Sequence, residues 1–207
     1  MTSPFSRGFR GRKRSAANAE RLPPGQYETN DFPVLSAGPT PVTSLTEWDF
    51  TIRAANGNAA RWTWDEFQAL PHERITRDIH CVTKWSKFDT VWEGISIDTL
   101  LARALERGVE ASSFVLAVCD GGYTTNVPLA DLTGGKAMVA FRYDDAPLAP
   151  EHGGPARLLV PHLYFWKSAK WVRQLRLLAR EEAGFWEVNG YHIRGDPWRE
   201  QRYTGDE

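Results

Sequence analysis

The order of the apolar runs restricts the fold of this chain more than any other feature. Trp48 to Ala54 alternates as a strand, and Asn56-Gly57-Asn58 supplies a turn. Thr63 and Glu66 form a capping box for a short helix that Pro71 stops. Ile75 to Val82 reads as a strand carrying a cysteine, followed by a turn or surface loop at Trp92-Glu93-Gly94. Ile97 to Leu105 has the apolar spacing of an amphipathic helix, ended by Gly108. Phe114 to Cys119, Met138 to Tyr143 and Arg157 to Val160 read as strands, with a polar loop at Tyr123 to Asn126. The near-helical spacing of Trp171, Leu175 and Leu178 predicts a long helix over 169–182, ended by Gly184. This order is not the regular alternation of a doubly wound sheet. Neither G-x-G-x-x-G nor G-x-x-x-x-G-K-[ST] occurs. The expected class is α+β, a single domain built on a mixed sheet.

A chain of 207 residues suffices for one such domain and is short for two. Residues 1–24 are polar and basic, with Arg7, Arg10, Arg12, Lys13 and Arg14, and end in Pro23-Pro24; they read as a flexible arm. The domain then runs over 25–207. Residues 25–41 read as irregular structure wrapping over it, and the aromatic stretch 184–203 is expected to pack back on its core. No apolar segment follows the basic run, so it does not read as a signal peptide, and no run reaches membrane-spanning length. A cytoplasmic protein is the resulting expectation. The net charge of −1 gives no general reason to expect nucleic acid as a partner. Two cysteines, Cys81 and Cys119, do not make a disulfide scaffold.

Cys81 stands where a strand opens into a basic, aromatic loop. Strand parity sends Ile79 and Cys81 to one face and His80 and Val82 to the other. The thiol has three readings: a soft-metal ligand, a nucleophile, or a buried core thiol. Cys119 reads as a thiol buried at a strand end, and His80 as a core or supporting histidine. No C-x-x-C or H-E-x-x-H spacing suggests zinc. A lone cysteine ligand leaves most coordination positions to an organic cofactor. His152, Arg157, Lys167 and Lys170 form a cationic series suited to a phosphate-bearing one. Ser168, Ala169 and Lys170 fall at the start of the expected long helix, where free amides would seat an anion.

Two blocks carry a resemblance. DIHCVTKWS (78–86) resembles the cysteine loop of the molybdopterin-binding domain in the sulfite oxidase-like oxidoreductases. HGGPARLLVPHLYFWKSAKW (152–171) is similar to the pterin-binding stretch of that family, in the right order. The likeness runs from about Gly25 to the C-terminus and is nearest to small stand-alone members. It implies molybdenum held by Cys81 and by a pterin dithiolene. It also implies that His152 contacts the pterin, that Arg157 binds the pterin phosphate, and that Ser168, Ala169 and Lys170 close on the cofactor. Lys84 and Tyr123 are the candidate catalytic groups beside Cys81, with Trp85, Tyr164 and Trp166 lining the substrate side.

The implied activity is oxygen-atom transfer on a small substrate, coupled to an electron donor or acceptor. Sulfite oxidases of the family carry an arginine and a histidine where this chain has Val34-Leu35-Ser36-Ala37. They also have an arginine-rich loop where it has Val82-Thr83-Lys84-Trp85-Ser86-Lys87. The resemblance therefore favours an S-oxide or related oxyanion over sulfite. Those sulfite oxidases continue with an immunoglobulin-like dimerisation domain, for which 207 residues are expected to leave no room, nor for a cytochrome b5-type haem domain. A metal-free cysteine-nucleophile enzyme and a non-catalytic cofactor-binding or electron-carrier module are the competing classes.

Overall fold

The computed structural model describes residues 16–207. Its strands and helices begin with β1 (Tyr27–Glu28), β2 (Asp49–Arg53), β3 (Ala59–Thr63), α1 (Trp64–Gln68), β4 (Glu73–His80), β5 (Trp85–Ser96) and α2 (Ile97–Glu106). There follow β6 (Phe114–Cys119), β7 (Thr124–Pro128), α3 (Leu129–Leu132), β8 (Met138–Tyr143), β9 (Ala146–Pro147), β10 (Arg157–Leu159), β11 (Val172–Leu178) and α4 (Phe185–Val188). The α+β class holds, with the strands divided between two mixed sheets. One has the order β1-β5-β8-β10, with β4 beside β5 and β9 beside β8; the other is β3-β2-β11-β6-β7. Among the described residues, no helix is long and apolar enough to cross a membrane.

The core follows from strand parity. Val139 and Leu158 join Phe50, Ile52, Val115, Ala117, Leu175 and Leu177 in one cluster that unites residues of both sheets. Their chain neighbours Met138, Ala140 and Leu159 join Ile79, Trp92, Cys81 and Trp85 in a second cluster. The first sheet is thus buried on both faces, which explains the unbroken apolar run of β8. The capping box is present: Thr63 accepts from the Glu66 amide, and the Glu66 carboxylate accepts from the Thr63 amide. Ser96 caps α2, whose Ile97, Leu100 and Ala104 are buried.

Three local expectations are overturned. The predicted helix over 169–182 is absent; half of it is β11, hydrogen-bonded to β2 on one side and β6 on the other. Its Arg and Leu residues suit a helix by propensity, but two strand partners override that weak preference. With the helix goes the anion seat at its start. Trp92-Glu93-Gly94 is no turn but the middle of β5, where the register shifts against β8. A Cβ on Gly94 would lie 2.3 Å from the Val139 carbonyl oxygen, so glycine marks a close backbone approach there. Tyr123 to Asn126 is not a loop, since Thr124 onward is β7, paired with β6.

The basic run 7–14 lies outside the described residues. Residues 18–24 pack on the domain: Arg21 bridges Asp78 and Asp89, and Leu22 and Pro23 are buried.

Candidate functional site

The site begins at the β4–β5 hairpin. The Cys81 amide donates to the Trp85 carbonyl at 2.8 Å, and the Lys84 amide donates to the Cys81 carbonyl at 3.0 Å. Three residues therefore form the loop, with Lys84 taking the left-handed position at φ 76° that such a turn requires. The parity expectation is met for three of its four residues: Cys81 shares a cluster with Ile79 and Trp85, while His80 Nδ1 meets Ser86 Oγ at 2.8 Å. Val82, past the strand end at His80, packs against the Cys81 cluster instead of facing away from it.

Cys81 opens into a cleft of about 390 Å³. Its floor and walls include Thr83, Trp85, the Asp120–Tyr123 turn, His152, Arg157 and the Ser168–Trp171 segment. Residues 32–39 form part of the wall, as the expected wrapping of 25–41 suggested. Phe32 stacks on His152 with ring centroids 4.0 Å apart. Lys170 Nζ holds this strap by donating to the Leu35 carbonyl at 2.7 Å.

Burial pushes the Cys81 thiol up, against the Thr83 hydroxyl at 3.1 Å and the charge of Arg202. Among the described residues Thr83 is the only side chain hydrogen-bonded to the sulfur, and no imidazole is. A cysteine nucleophile needs a base in hydrogen-bond reach and a lowered thiol pKa, so the nucleophile reading lacks both. A metal supplies the missing deprotonation by direct ligation. Among the described residues, no group of three or more His, Cys, Asp or Glu could hold a metal ion by itself. A single thiolate at a large cleft fits a centre whose other ligands come from a cofactor.

Arg157 is 1% exposed. Its guanidinium donates to the His152 carbonyl at 2.8 Å and to the Ser168 carbonyl, and lies 4.2 Å from the Phe165 ring centroid. Nε has no partner, and no carboxylate pairs with the group among the described residues. Burial lowers its pKa to about 9. Burial and the charge of Arg157 lower Lys170 to about 8. His152 lies below its ordinary value, first through burial and then through the same two cations; its buried Nδ1 has no partner among the described residues. The buried Nε1 of Trp85 is likewise unpartnered. The cleft thus presents orphaned donors and excess positive charge, the complement of an anionic, hydrogen-bonding cofactor.

Ser168 and Ala169 line the cleft but commit polar groups to protein partners. Ser168 Oγ accepts from the Val160 amide at 2.9 Å, and the Ala169 carbonyl accepts from Leu158 at 2.9 Å. They hold the strand carrying Arg157. Tyr123 lines the cleft, but its hydroxyl donates to the Trp166 carbonyl at 2.7 Å; burial raises its pKa well above the ordinary value.

Two other cations stand apart from the cleft chemistry. Lys84 is exposed and does not line the cleft. Lys167, one of the expected cationic series, is fully buried behind the wall, where it donates to Glu187 Oε1 at 2.6 Å and to the Asn126 carbonyl at 2.9 Å. Trp166 Nε1 and Thr125 Oγ1 donate to the same carboxylate oxygen. The sequence reading missed this network. It also missed Phe185, Trp186 and Tyr191 as cleft residues, although the aromatic density of 184–203 pointed to packing there. Cys119 is a buried free thiol, as expected, with its pKa driven far up by burial.

The oxidoreductase molybdopterin binding domain matches residues 37–186. An uncharacterized oxidoreductase, YuiH, of Bacillus subtilis (strain 168) is 40% identical over 198 residues, covering 95% of this chain and 98% of that protein. A putative protein-methionine-sulfoxide reductase subunit, YedZ1, of Azospira oryzae is 30% identical over 65% of this chain and 50% of its own length. The mitochondrial sulfite oxidase of Drosophila melanogaster is 24% identical over 80% of this chain, which spans 33% of that enzyme. Among solved structures, the sulfane dehydrogenase SoxCD of Paracoccus pantotrophus superimposes with a TM-score of 0.61. It has 19% identity over 73% of this chain and 42% of its own, a likeness of fold. A family match over most of the chain, with a cysteine and an unpaired cationic wall sharing one cleft, makes this protein a member of the molybdopterin-binding oxidoreductase family.

Proposed function

We propose that this oxidoreductase moves an oxygen atom on a small S-oxide or related oxyanion, at molybdenum held by Cys81. Bound there, a molybdenum pterin supplies two-electron oxygen-atom chemistry; the protein supplies ligation, orientation and electrostatics. Arg157 carries the reading. It is a buried guanidinium without a carboxylate partner among the described residues, in the same cleft as the cysteine, and an uncompensated buried charge is expensive unless a ligand completes it.

Each residue then has a limited task. Cys81 gives the thiolate. Arg157 and Lys170 take the phosphate of the pterin, and His152, stacked on Phe32, offers its free ring nitrogen to the pterin. Ser168 and Ala169 position Arg157 rather than touch the anion by side chain. Tyr123 shapes the wall, since its proton is committed to Trp166. Trp85, Trp166, Trp186 and Tyr191 exclude water from the open side.

The substrate preference rests on charge. Sulfite requires converging cations near the metal, but Lys84 points to solvent and Lys87 Nζ donates to the Asn30 carbonyl at 2.6 Å. An uncharged S-oxide needs no such set and suits aromatic walls. The name of the Azospira relative, a putative protein-methionine-sulfoxide reductase subunit, accords with that choice. Reduction of R₂SO to R₂S and water consumes two electrons and two protons, so an external electron donor is part of the proposal. Cofactor-loaded protein with a reduced dye is expected to consume dimethyl sulfoxide or methionine sulfoxide. Rapid sulfite-dependent reduction of an acceptor with inert S-oxides would overturn the direction. Full molybdenum loading without either activity would favour a non-catalytic module.

A further inference from the structure

The loop that presents Cys81 makes hydrogen bonds with both ends of the described chain. Its carbonyls accept from outside the hairpin: Cys81 from Gln26 Nε2 at 3.0 Å, Lys84 from the Tyr27 amide at 2.8 Å, and Val82 from Arg202 at 2.6 Å. Arg202 is 120 residues away in sequence from Val82 and is 7% exposed. Its other terminal nitrogen donates to the Pro24 carbonyl at 3.4 Å, and the guanidinium lies 4.9 Å from the Tyr164 ring centroid. Its nearest acid, Glu200, stands 3.8 Å off and is half exposed.

The Arg202 backbone is pinned as well. Its amide donates to Asp206 Oδ2 at 2.9 Å, and its carbonyl accepts from the His192 amide at 3.1 Å. An independent feature keeps the space clear. Gly25 has φ +69°, and a Cβ there would lie 2.6 Å from Glu200 Oε1 and 3.3 Å from the Arg202 guanidinium. The left-handed backbone at Gly25 favours glycine, and its missing Cβ leaves room for residues 24–26 to lie across this cation.

We propose that Arg202 is a positioning residue for the metal-binding corner. It ties the Val82 carbonyl to the Pro24 carbonyl, so that the C-terminal segment and the residues before β1 fix the angle at which Cys81 faces the cleft. The consequence for metal binding rests on the assignment of Cys81 as ligand, but the fixing of the turn does not.

The test reads the turn in cofactor-free protein. Loss of a charge-assisted hydrogen bond makes local opening about tenfold more frequent. Arg202→Met is therefore expected to speed amide exchange over residues 82–86 about tenfold, with Cys81 alkylation by iodoacetamide rising in step when compared per thiolate, since removing the Arg202 charge also raises the thiol pKa. Buried Cys119 is the internal standard, and Arg199→Met, on the same segment but exposed, is expected to leave both rates unchanged. Arg202→Lys keeps one charged donor and is expected to fall between. Wild-type rates in Arg202→Met would overturn the proposal. If that variant fails to fold, wild-type rates in Arg202→Lys would do the same. In loaded protein, Arg202→Met is expected to lower molybdenum retention and shift the sulfur-to-metal absorption. A wild-type chain that takes no molybdenum would sink the metal assignment while leaving the alkylation result intact.

Discussion

Two buried cations in this protein differ in one respect, and that difference yields a sharp prediction for cofactor-free protein. Lys167 is paired with Glu187; Arg157 has no acid among the described residues. The fall of Arg157 to about 9 corresponds to about 5 kcal/mol acting against its charged form at neutral pH. Arg157→Met removes that cost and leaves the His152 and Ser168 carbonyls without their donor, at about 1–3 kcal/mol each. The two terms largely offset, so the variant is expected between about 1 kcal/mol less stable and about 3 kcal/mol more stable than wild type. Lys167→Met strands the Glu187 carboxylate and is expected to cost about 3–5 kcal/mol. Urea unfolding of both variants at pH 7, without cofactor, measures the contrast. If Arg157→Met loses as much as Lys167→Met, Arg157 is a compensated structural charge and the case for an anion ligand fails.

Three further outcomes are expected. Lys170, lowered to about 8 first by burial and then by Arg157, binds anions in its protonated form. Protection of cofactor-free protein by inorganic phosphate in thermal melts should therefore be present below pH 8 and fade above it, and Lys170→Met should show no such step. Without phosphate the sign reverses: above pH 8 the unfolded chain holds the lysine proton that the folded one has lost, so this group's contribution to stability rises with pH. Gly94→Ala drives a methyl into the Val139 carbonyl and is expected to cost about 3 kcal/mol or more in urea unfolding; a neutral result would contradict the close approach of β5 and β8. Lys84→Gly relieves a left-handed residue and should stabilise by about 0.5–1 kcal/mol with steady-state turnover unchanged; a large loss of turnover would return Lys84 to the chemistry.

Where pattern and packing agreed, the sequence was readable. The strand leading into Cys81, which ends at His80 rather than Val82, the capping box at Thr63, α2 and the strand Phe114–Cys119 all follow from local periodicity and capping chemistry. Periodicity failed where a strand lies between two partners. Val172–Leu178 carries residues that suit a helix, and only its pairing with β2 and β6 makes it a strand. Gly94 misled because glycine in a strand at a close crossing has the same signature as glycine in a turn.

Within the cleft, Cys81, His152, Arg157 and Lys170 do come together, as motif chemistry suggested. Lys167 could not be separated from them by sequence, since its partner Glu187 is 20 residues on, in a segment with no periodic signal. The hydrogen bonds from Arg202 to Val82 and Pro24 are tertiary contacts between distant segments and leave no local trace.

The most direct test of the central claim is the molybdenum content of protein purified from a host that makes the pterin cofactor, measured for wild type and for Cys81→Ser together. About one molybdenum per chain in wild type, with retention lost or sharply reduced in the serine variant, is the expected result. Wild-type protein free of molybdenum, and releasing no fluorescent pterin on oxidation, would contradict the account and leave Cys81 a buried core thiol.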